Sequence, residues 1–429
     1  MTEARAQGIS VSVLPSGLVV ITEHLPYVRS VALGLAFGVG SRDDPPDRSG
    51  MAHLIEHMVF KGTQDRDAVE INIAAESLGA ELNAFTDKES TCFYGRFPAD
   101  QRGPVIDLLI EVVSGPAFRA EELTREKEVV AEEIRTASED PDTCAVNGMF
   151  RAVYGAHPMG SQIAGTHESV ARLTEGELRE RYGQVYGAGC GVAVAVGQVE
   201  HAELADRLHA LLNRRNGCRP AERVGPEVAS PGTMLNPRTD LSQVYVCLAM
   251  PTFAYADPRR HALVVLNTAL GGGVSSRLFQ RLREREALVY SVASFTESYG
   301  DSGLLGIYFV TDRRKLERCL AVLDEELARL RREKLTADEF ERARVMTKSS
   351  FLLALESPTS RMMRLARAWQ MLGRVVSVDE TIDAFDRLTR DDVDRLVGEL
   401  LGQGFGYAGV AGPLTESEAD RLFGPDGRQ

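Results

Sequence analysis

The chain has 429 residues, enough for two or three domains, and its 44% hydrophobic and 26% charged content fits a globular protein with more than one core. The formal net charge of −13 argues against nucleic acid or an anionic membrane surface as a partner. The opening MTEARAQGIS carries no apolar leader, and no stretch nears the roughly 18 apolar residues of a membrane span, so a cytoplasmic location is expected.

ISVSVLPSGLVVITEHL predicts a strand pair turning at Pro15-Ser16-Gly17. SVALGLAFGVGSRDDPP predicts a buried strand that leaves into a Gly/Asp/Pro loop, and a helix is expected from about Gly50 to Phe60. INIAAESLGA has a helical pattern, and AELNAFTDKESTCFYGRF alternates like paired strands. GPVIDLLIEVVSGP and AEELTREKEVVAEEIRTASED predict two helices, CGVAVAVGQV a short apolar strand, and EHAELADRLHALLNRR another helix. Residues 216–237 are rich in Pro, Gly and charge and are expected to link two halves, 1–215 and 238–429. Cys92, Cys144, Cys190, Cys218, Cys247 and Cys319 are scattered without a C-x-x-C pair. They are expected as buried or free thiols in a reducing compartment.

The two halves show the same order of features. SVALGLAFGVGSRDDP compares with SQVYVCLAMPTFAYADP, the helix ending at Phe60 and Gly62 with LVVLNTALGGG, and FRAEELTREKEVVAEEI with LTADEFERARVMTKSSF. Three matches in one order indicate a duplicated domain. In this alignment His53, Glu56 and His57 meet Leu263, Leu266 and Asn267, and Glu133 meets Ser350. The polar residues of the first half are therefore not needed to hold the frame.

His53 and His57 stand four apart on a predicted helix, so both can face one ion. Glu56 lies on the same side, placed to take a proton from a water on that ion. The order H-x-x-E-H is the inverzincin form of a zinc helix. Zinc in a catalytic site takes three protein ligands and keeps one position open. The third is sought on the helix from Ala120. Glu126 and Glu133 are two turns apart and share a face, and Glu133 has Val129 and Val130 one turn behind it. Glu133 is chosen as the ligand and Glu126 as a carboxylate supporting the ligands. Glu128 and Glu132 are read as a solvated acidic face.

The stretches GSRDDPPDRSGMAHLIEHMVFKGT, GAELNAFTDKESTCFY, EKEVVAEEI and GGGVSSRLFQRLREREALVYSV resemble the pitrilysin and mitochondrial-processing-peptidase family of zinc endopeptidases, in family order over nearly the whole chain. That family places its ligand glutamate about 76 residues after the second histidine, which is where Glu133 stands. The resemblance implies an α+β fold of two homologous α/β-sandwich halves. Each is a mainly antiparallel sheet packed with helices, and together they form a clamshell. It implies one Zn2+ per chain and hydrolysis of unfolded peptides or leader segments through a zinc-bound water, with Glu56 as general base. Arg283 and Tyr290 match the family's pair that contacts the substrate near the transition state. Asn83 and Ala84 match the edge strand to which its substrates add in extended conformation. Phe60 matches an aromatic near the site, where core packing explains it equally well. YGAHPMGSQIAG is also similar, and His157 is read as structural. The chain departs from the family at Ala287, where glycine is frequent. The short length implies a dimer. A homodimer is the simpler reading because this chain carries both the metal motif and the Arg/Tyr pair, and a heterodimer with a homologous subunit is the alternative. The rival classes are a noncatalytic binding subunit, against which the intact His53, Glu56, His57 and Glu133 argue, and a structural zinc protein, against which the three-ligand set argues.

Overall fold

The computed structural model describes residues 4–6, 8–212, 218 and 222–424. They form two compact units. The first gathers Met1–Ile134, Gln162–Arg223 and Leu353–Ser377, and the second gathers Arg135–Ser161, Val224–Leu352 and Val378–Gln429. The units are therefore not the contiguous halves 1–215 and 238–429.

The first half of the chain runs through β1 (Ala4–Ala6), β2 (Ile9–Val13), β3 (Val19–His24), β4 (Ser30–Phe37), α1 (Met51–Val59), α2 (Ala68–Ser77), β5 (Glu81–Thr86) and β6 (Thr91–Pro98). It continues through α3 (Arg102–Ser114), α4 (Ala120–Glu139), α5 (Pro141–Tyr154), α6 (His167–Arg172), α7 (Glu175–Val185), β7 (Gly191–Gly197) and α8 (His201–Leu212). The strands make a seven-stranded sheet in the order β1-β2-β3-β7-β4-β6-β5. Only the β3–β7 pair is parallel.

The alternation in β4 explains how this sheet is covered. Val31, Leu33, Leu35 and Phe37 face the main core with Leu54, Ile55 and Met58 of α1 and Val105, Ile106 and Leu109 of α3. The small residues Ala32 and Ala36 face the opposite side. There they meet Met362, Leu365 and Ala366 of a helix from the far end of the chain, Pro358–Leu372. A Cβ at Gly34 would press on the Met362 sulfur, so the glycine sets how closely that helix approaches.

The second half forms β8 (Gly232–Pro237), β9 (Gln243–Thr252), α9 (Arg260–Gly271), β10 (Val289–Ser298), β11 (Gly303–Asp312), α10 (Leu316–Glu333) and α11 (Ala337–Ala354). The helix at Pro358–Leu372 is α12, followed by α13 (Val378–Arg387), α14 (Arg390–Leu400), β12 (Tyr407–Gly412) and α15 (Glu416–Phe423). A five-stranded sheet runs β10-β11-β9-β12-β8, again with one parallel pair, β12–β8. Val244, Val246, Leu248 and Met250 of β9 face the main core of this unit. Cys247 and Ala249 face α5, through Ala145 and Met149. Each sheet thus receives one helix from the other half of the chain. The order of strands, the alternation and the single parallel pair repeat between the units, as a duplication requires.

Two expectations change. Residues 232–237 of the expected linker are strand β8, whose backbone pairs with β12 despite the Pro/Gly-rich surroundings. Cys190 and Cys218 are bonded to each other, not free thiols, with Cα atoms 5.7 Å apart, inside the usual disulfide range. Cys92, Cys247 and Cys319 are buried and Cys144 is half-buried, and none of the four is in a disulfide. Among the described residues, no helix is long and apolar enough to cross a membrane.

The α5–β12 crossing is glycine-limited: a Cβ at Gly409 would overlap the Ala145 carbonyl oxygen and the Met149 nitrogen. Gly409→Ala should therefore destabilise the protein by about 2–3 kcal/mol in chemical denaturation. Gly183→Ala, on the exposed side of α7 with open space around it, should instead add about 0.5–1 kcal/mol.

Candidate metal and active site

Helix α1 starts at Gly50, whose φ of 88° is left-handed and whose Cβ, if present, would strike the Ala164 carbonyl oxygen. The Asp44 carboxylate accepts from the Gly50 and Ala52 N–H groups at 2.9 and 3.0 Å, which satisfies two of the free donors at the helix start. Burial pushes the Asp44 pKa up to about 7, against the lowering effect of those two bonds. One side of α1 enters the core through Leu54, Ile55, Met58 and Val59. That leaves His53, Glu56 and His57 together on the other side.

Helix α4 brings its carboxylates to this face. The His53 and His57 Nε2 atoms lie 3.9 and 3.7 Å from the same Glu133 oxygen. The three ligand atoms all fall within 4.8 Å of one another, the one such cluster among the described residues. The imidazole rings meet edge to face with centroids 4.7 Å apart. Two turns back on α4, Glu126 is 4% exposed and contacts His57 Nδ1 at 3.0 Å. This contact favours the tautomer with its proton on Nδ1, which leaves Nε2 as the lone-pair atom turned toward Glu133. The Lys61 ammonium lies 2.9 Å from the other Glu126 oxygen.

Burial pushes the His53 pKa down to about 4, and the neighbouring His57 adds to it, so His53 is a neutral lone-pair donor. For His57, burial lowers the pKa. The hydrogen bond to Glu126 and the charges of Glu133, Glu126 and Glu56 overcome it, and the net shift is upward. Burial raises the Glu56 pKa, and a hydrogen bond from Thr86 and the nearby His57 only partly offset that. A raised carboxylate suits a group that accepts a proton and then returns it. The Glu56 Oε2 and His53 Nδ1 atoms are buried without a hydrogen-bond partner among the described residues.

Asn83 and Ala84 lie on β5, the edge strand of the first sheet, paired on one side only with Tyr94 and Phe93. The Ala84 N–H donates to the Asn83 side-chain oxygen at 2.8 Å, so this N–H lies outside the ladder with β6. Phe60 caps the end of α1 and packs half-buried against Phe93, ring centroids 6.1 Å apart, which is core packing. Glu128 and Glu132 are exposed. Both His157 nitrogens are engaged with backbone, the Val224 carbonyl at 3.1 Å and the Met159 N–H at 3.2 Å, a structural role.

Arg283 and Tyr290 belong to the second unit, and both are exposed. Arg283 sits on a π-helical segment, Phe279–Arg285, its guanidinium 5.0 Å from the Phe279 ring centroid. Tyr290 is the extra residue of a bulge in β10, between the paired Val289 and Ser291, and is 75% exposed. Ala287, between them, has φ 49°, a left-handed backbone that accounts for a glycine preference at this position. Sequence reasoning missed Asp44, Lys61 and Thr86. Lys61 stands one helical turn after His57, a spacing that could have paired it with the same acidic helix.

A duplicated α+β fold with an H-x-x-E-H helix facing a distant glutamate defines the inverzincin class of metal helix. Residues 19–167 match the family profile described as insulinase, peptidase family M16, and residues 172–346 match that of the peptidase M16 inactive domain. The chain belongs to the M16 peptidase family. An uncharacterized zinc protease of Streptomyces coelicolor is 34% identical, over 95% of this chain and 90% of its own. One of Mycobacterium tuberculosis is 36% identical over 93% and 92%, and YmxG of Bacillus subtilis, also named an uncharacterized zinc protease, is 33% identical over 92% and 96%. Two crystal structures share the fold, each with a TM-score of 0.86. The peptidase M16 inactive domain from Pseudomonas fluorescens is 24% identical, covering 95% of this chain and 98% of its own. A protease from Helicobacter pylori is 20% identical, covering 95% and 99%.

The His57–Glu126 contact gives a pH signature to the metal-free protein. Burial opposes ionisation of Glu126, but the bonds to His57 and Lys61 win and hold its pKa below the ordinary 4.5. That contribution is present above pH 4.5 and is lost as pH falls through the depressed value. His57 is held above its ordinary 6.5, so its contribution is present below pH 6.5 and is lost as pH rises through the raised value. Glu126→Gln should therefore cost about 1–3 kcal/mol between these two pH values and less on either side, read by urea titration of metal-free samples.

Proposed function

We propose that the chain is a zinc-dependent endopeptidase that cleaves unfolded peptides or leader segments. The observation that carries this reading is the convergence of His53 Nε2, His57 Nε2 and one Glu133 oxygen within 4.8 Å. Two neutral-capable imidazoles and one carboxylate are a donor set that fits zinc with a position left over. The curated relatives' name, zinc protease, supports the same reading. One Zn2+ per chain, held by these three side chains, supplies Lewis acidity toward a water and toward the scissile carbonyl.

The protein's own groups do the rest. Glu126 orients His57 through Nδ1 and is itself fixed by Lys61. Glu56, with one oxygen buried and unpartnered, accepts the water's proton and delivers it to the departing amine. Strand β5 offers its open edge at Asn83 and Ala84, so an extended peptide adds there by backbone hydrogen bonds. For this to happen the Asn83 carboxamide must release the Ala84 N–H. Arg283 and Tyr290 donate to the peptide backbone and to the oxygen that gains charge at the reacting carbonyl. The chain acts as a homodimer, since it carries both residue sets.

Glu56→Gln should keep zinc at the wild-type stoichiometry and lose about 10²–10⁴-fold in hydrolysis of a quenched peptide. Wild-type cleavage by that variant would remove Glu56 as the base. Glu133→Gln should instead bind zinc more than about 100-fold more weakly in chelator competition, beyond what the loss of a group supporting a ligand costs, and unchanged affinity would strike Glu133 from the ligand set. Light scattering of the purified protein tests the homodimer, and a monomer with full activity would reject it.

A further inference from the structure

The exposed pair Arg283 and Tyr290 stands on a segment whose backbone is irregular at three successive places: the π-helical run Phe279–Arg285, the left-handed Ala287 and the bulge at Tyr290. Such a segment needs anchors, because irregular backbone does not hold its own shape. The anchor at its start is Arg277, a guanidinium 8% exposed. Its Nε and Nη2 donate to the two Glu339 oxygens at 2.9 and 2.8 Å, and Nη2 also donates to the Lys334 carbonyl at 2.7 Å. Its Nη1 lies 3.6 Å from Glu326. One arginine thus ties the first turn of the segment to α10 and α11, in a planar two-point contact that lysine cannot copy. Beyond it, Arg281 lies 2.9 Å from Glu286 and 3.2 Å from Glu325 of α10, and Thr311 Oγ1 donates to the Leu288 carbonyl at 2.7 Å. The Leu288 N–H and the exposed Lys315 ammonium donate to the Leu282 and Ala287 carbonyls, each at 2.8 Å. Arg277, its side chain 7% exposed against 28% for Arg281, is the more buried of the two arginine anchors.

Arg283 itself makes no ion pair among the described residues and rests on Phe279, two residues after Arg277. A small rotation of the segment at Arg277 would therefore carry the Phe279 ring and Arg283 together. We propose that Arg277, through Glu339, is the positioning residue that presets Arg283 and Tyr290 for the peptide. It touches no substrate and acts only through that pair. The inference rests on the substrate role given above to Arg283 and Tyr290.

The test is a comparison of backgrounds in the full-length zinc-loaded protein. Arg277→Lys should lower kcat/KM on a quenched peptide by about 10- to 100-fold with zinc content unchanged, the cost of misplacing a contact by about an ångström. In the Arg283→Ala/Tyr290→Phe background the same substitution should change kcat/KM less than about threefold, since the groups it positions are gone. Glu339→Gln, which keeps the shape and weakens the ion pair, should repeat the pattern at smaller size and covers the case in which the lysine variant does not fold. An equal loss in both backgrounds, or no loss in the wild type, overturns the positioning role. If Arg283→Ala/Tyr290→Phe alone cleaves at the wild-type rate, the substrate role of the pair fails, and the inference falls with it.

Discussion

The apolar side of α1 decides where its polar side points, and the candidate site depends on that. Leu54, Ile55 and Met58 are at most 1% exposed and lock the helix onto the sheet through the large residues of β4. With that side fixed, the helical period leaves one direction for His53, Glu56 and His57. Side-chain rotamers choose the details, but rotation of the helix about its axis would expose about three large side chains, each costing about 1.5–3 kcal/mol. The candidate metal face is therefore held by hydrophobic burial, a force that does not itself involve a metal. Asp44 fixes the axial position of the same helix by capping its first donors, and Gly50 permits the turn that brings the chain to it.

The second unit is the internal control for this reading. Helix α9 occupies the place of α1 and keeps the apolar side, with Leu263, Leu266 and Leu270 buried. Its buried residues match those of α1 one residue on from the sequence alignment. The places of His53, Glu56 and His57 are therefore taken by Val264, Asn267 and Thr268, which hold no imidazole or carboxylate, while Leu263 and Leu266 belong to the core side. The fold thus survives without the polar set, so the set in the first unit is not there for folding. A half-buried glutamate beside two histidines and an acidic helix costs desolvation, visible in the raised Glu56 and depressed His53. Such a cost without a folding need points to chemistry.

The parts of this molecule that were legible in the sequence are those set by local period. The H-x-x-E-H helix, the shared face of Glu126 and Glu133, the alternation of β4 and β9 and the order of the duplicated elements all follow from spacings of two or about 3.6 residues. What was not legible depends on partners distant in sequence. The pattern of α12 tells that one side is buried, but not that the buried side meets the sheet of the other half, where Ala32 and Ala36 leave room for it. The same holds for α5, which reaches its sheet only because Gly409 carries no side chain. Strand β8 was hidden because its pairing is set by β12, 175 residues away, and not by its own composition. Cys190 and Cys218 carry no spacing signature, and only the fold brings them together. Thr86 was equally invisible, since its bond to Glu56 needs the edge strand beside α1.

The two candidate substrate surfaces obtain their geometry in opposite ways. In the first unit, β5 is a regular edge strand, and regularity is what an added peptide strand needs, since each backbone group must meet the ladder spacing. In the second unit, β10 is also an edge strand, but it begins with a bulge that places Tyr290 out of the alternation. A regular strand would fix the direction of residue 290 by its neighbours on either side. The bulge removes that constraint and turns the ring to solvent. The π-helical run does the same for Arg283, by widening the turn that carries it. Backbone contacts suit a ladder, while side-chain contacts to a reacting carbonyl require directions that no ladder offers. The irregular backbone therefore stands where side chains, not main chain, are expected to meet the peptide.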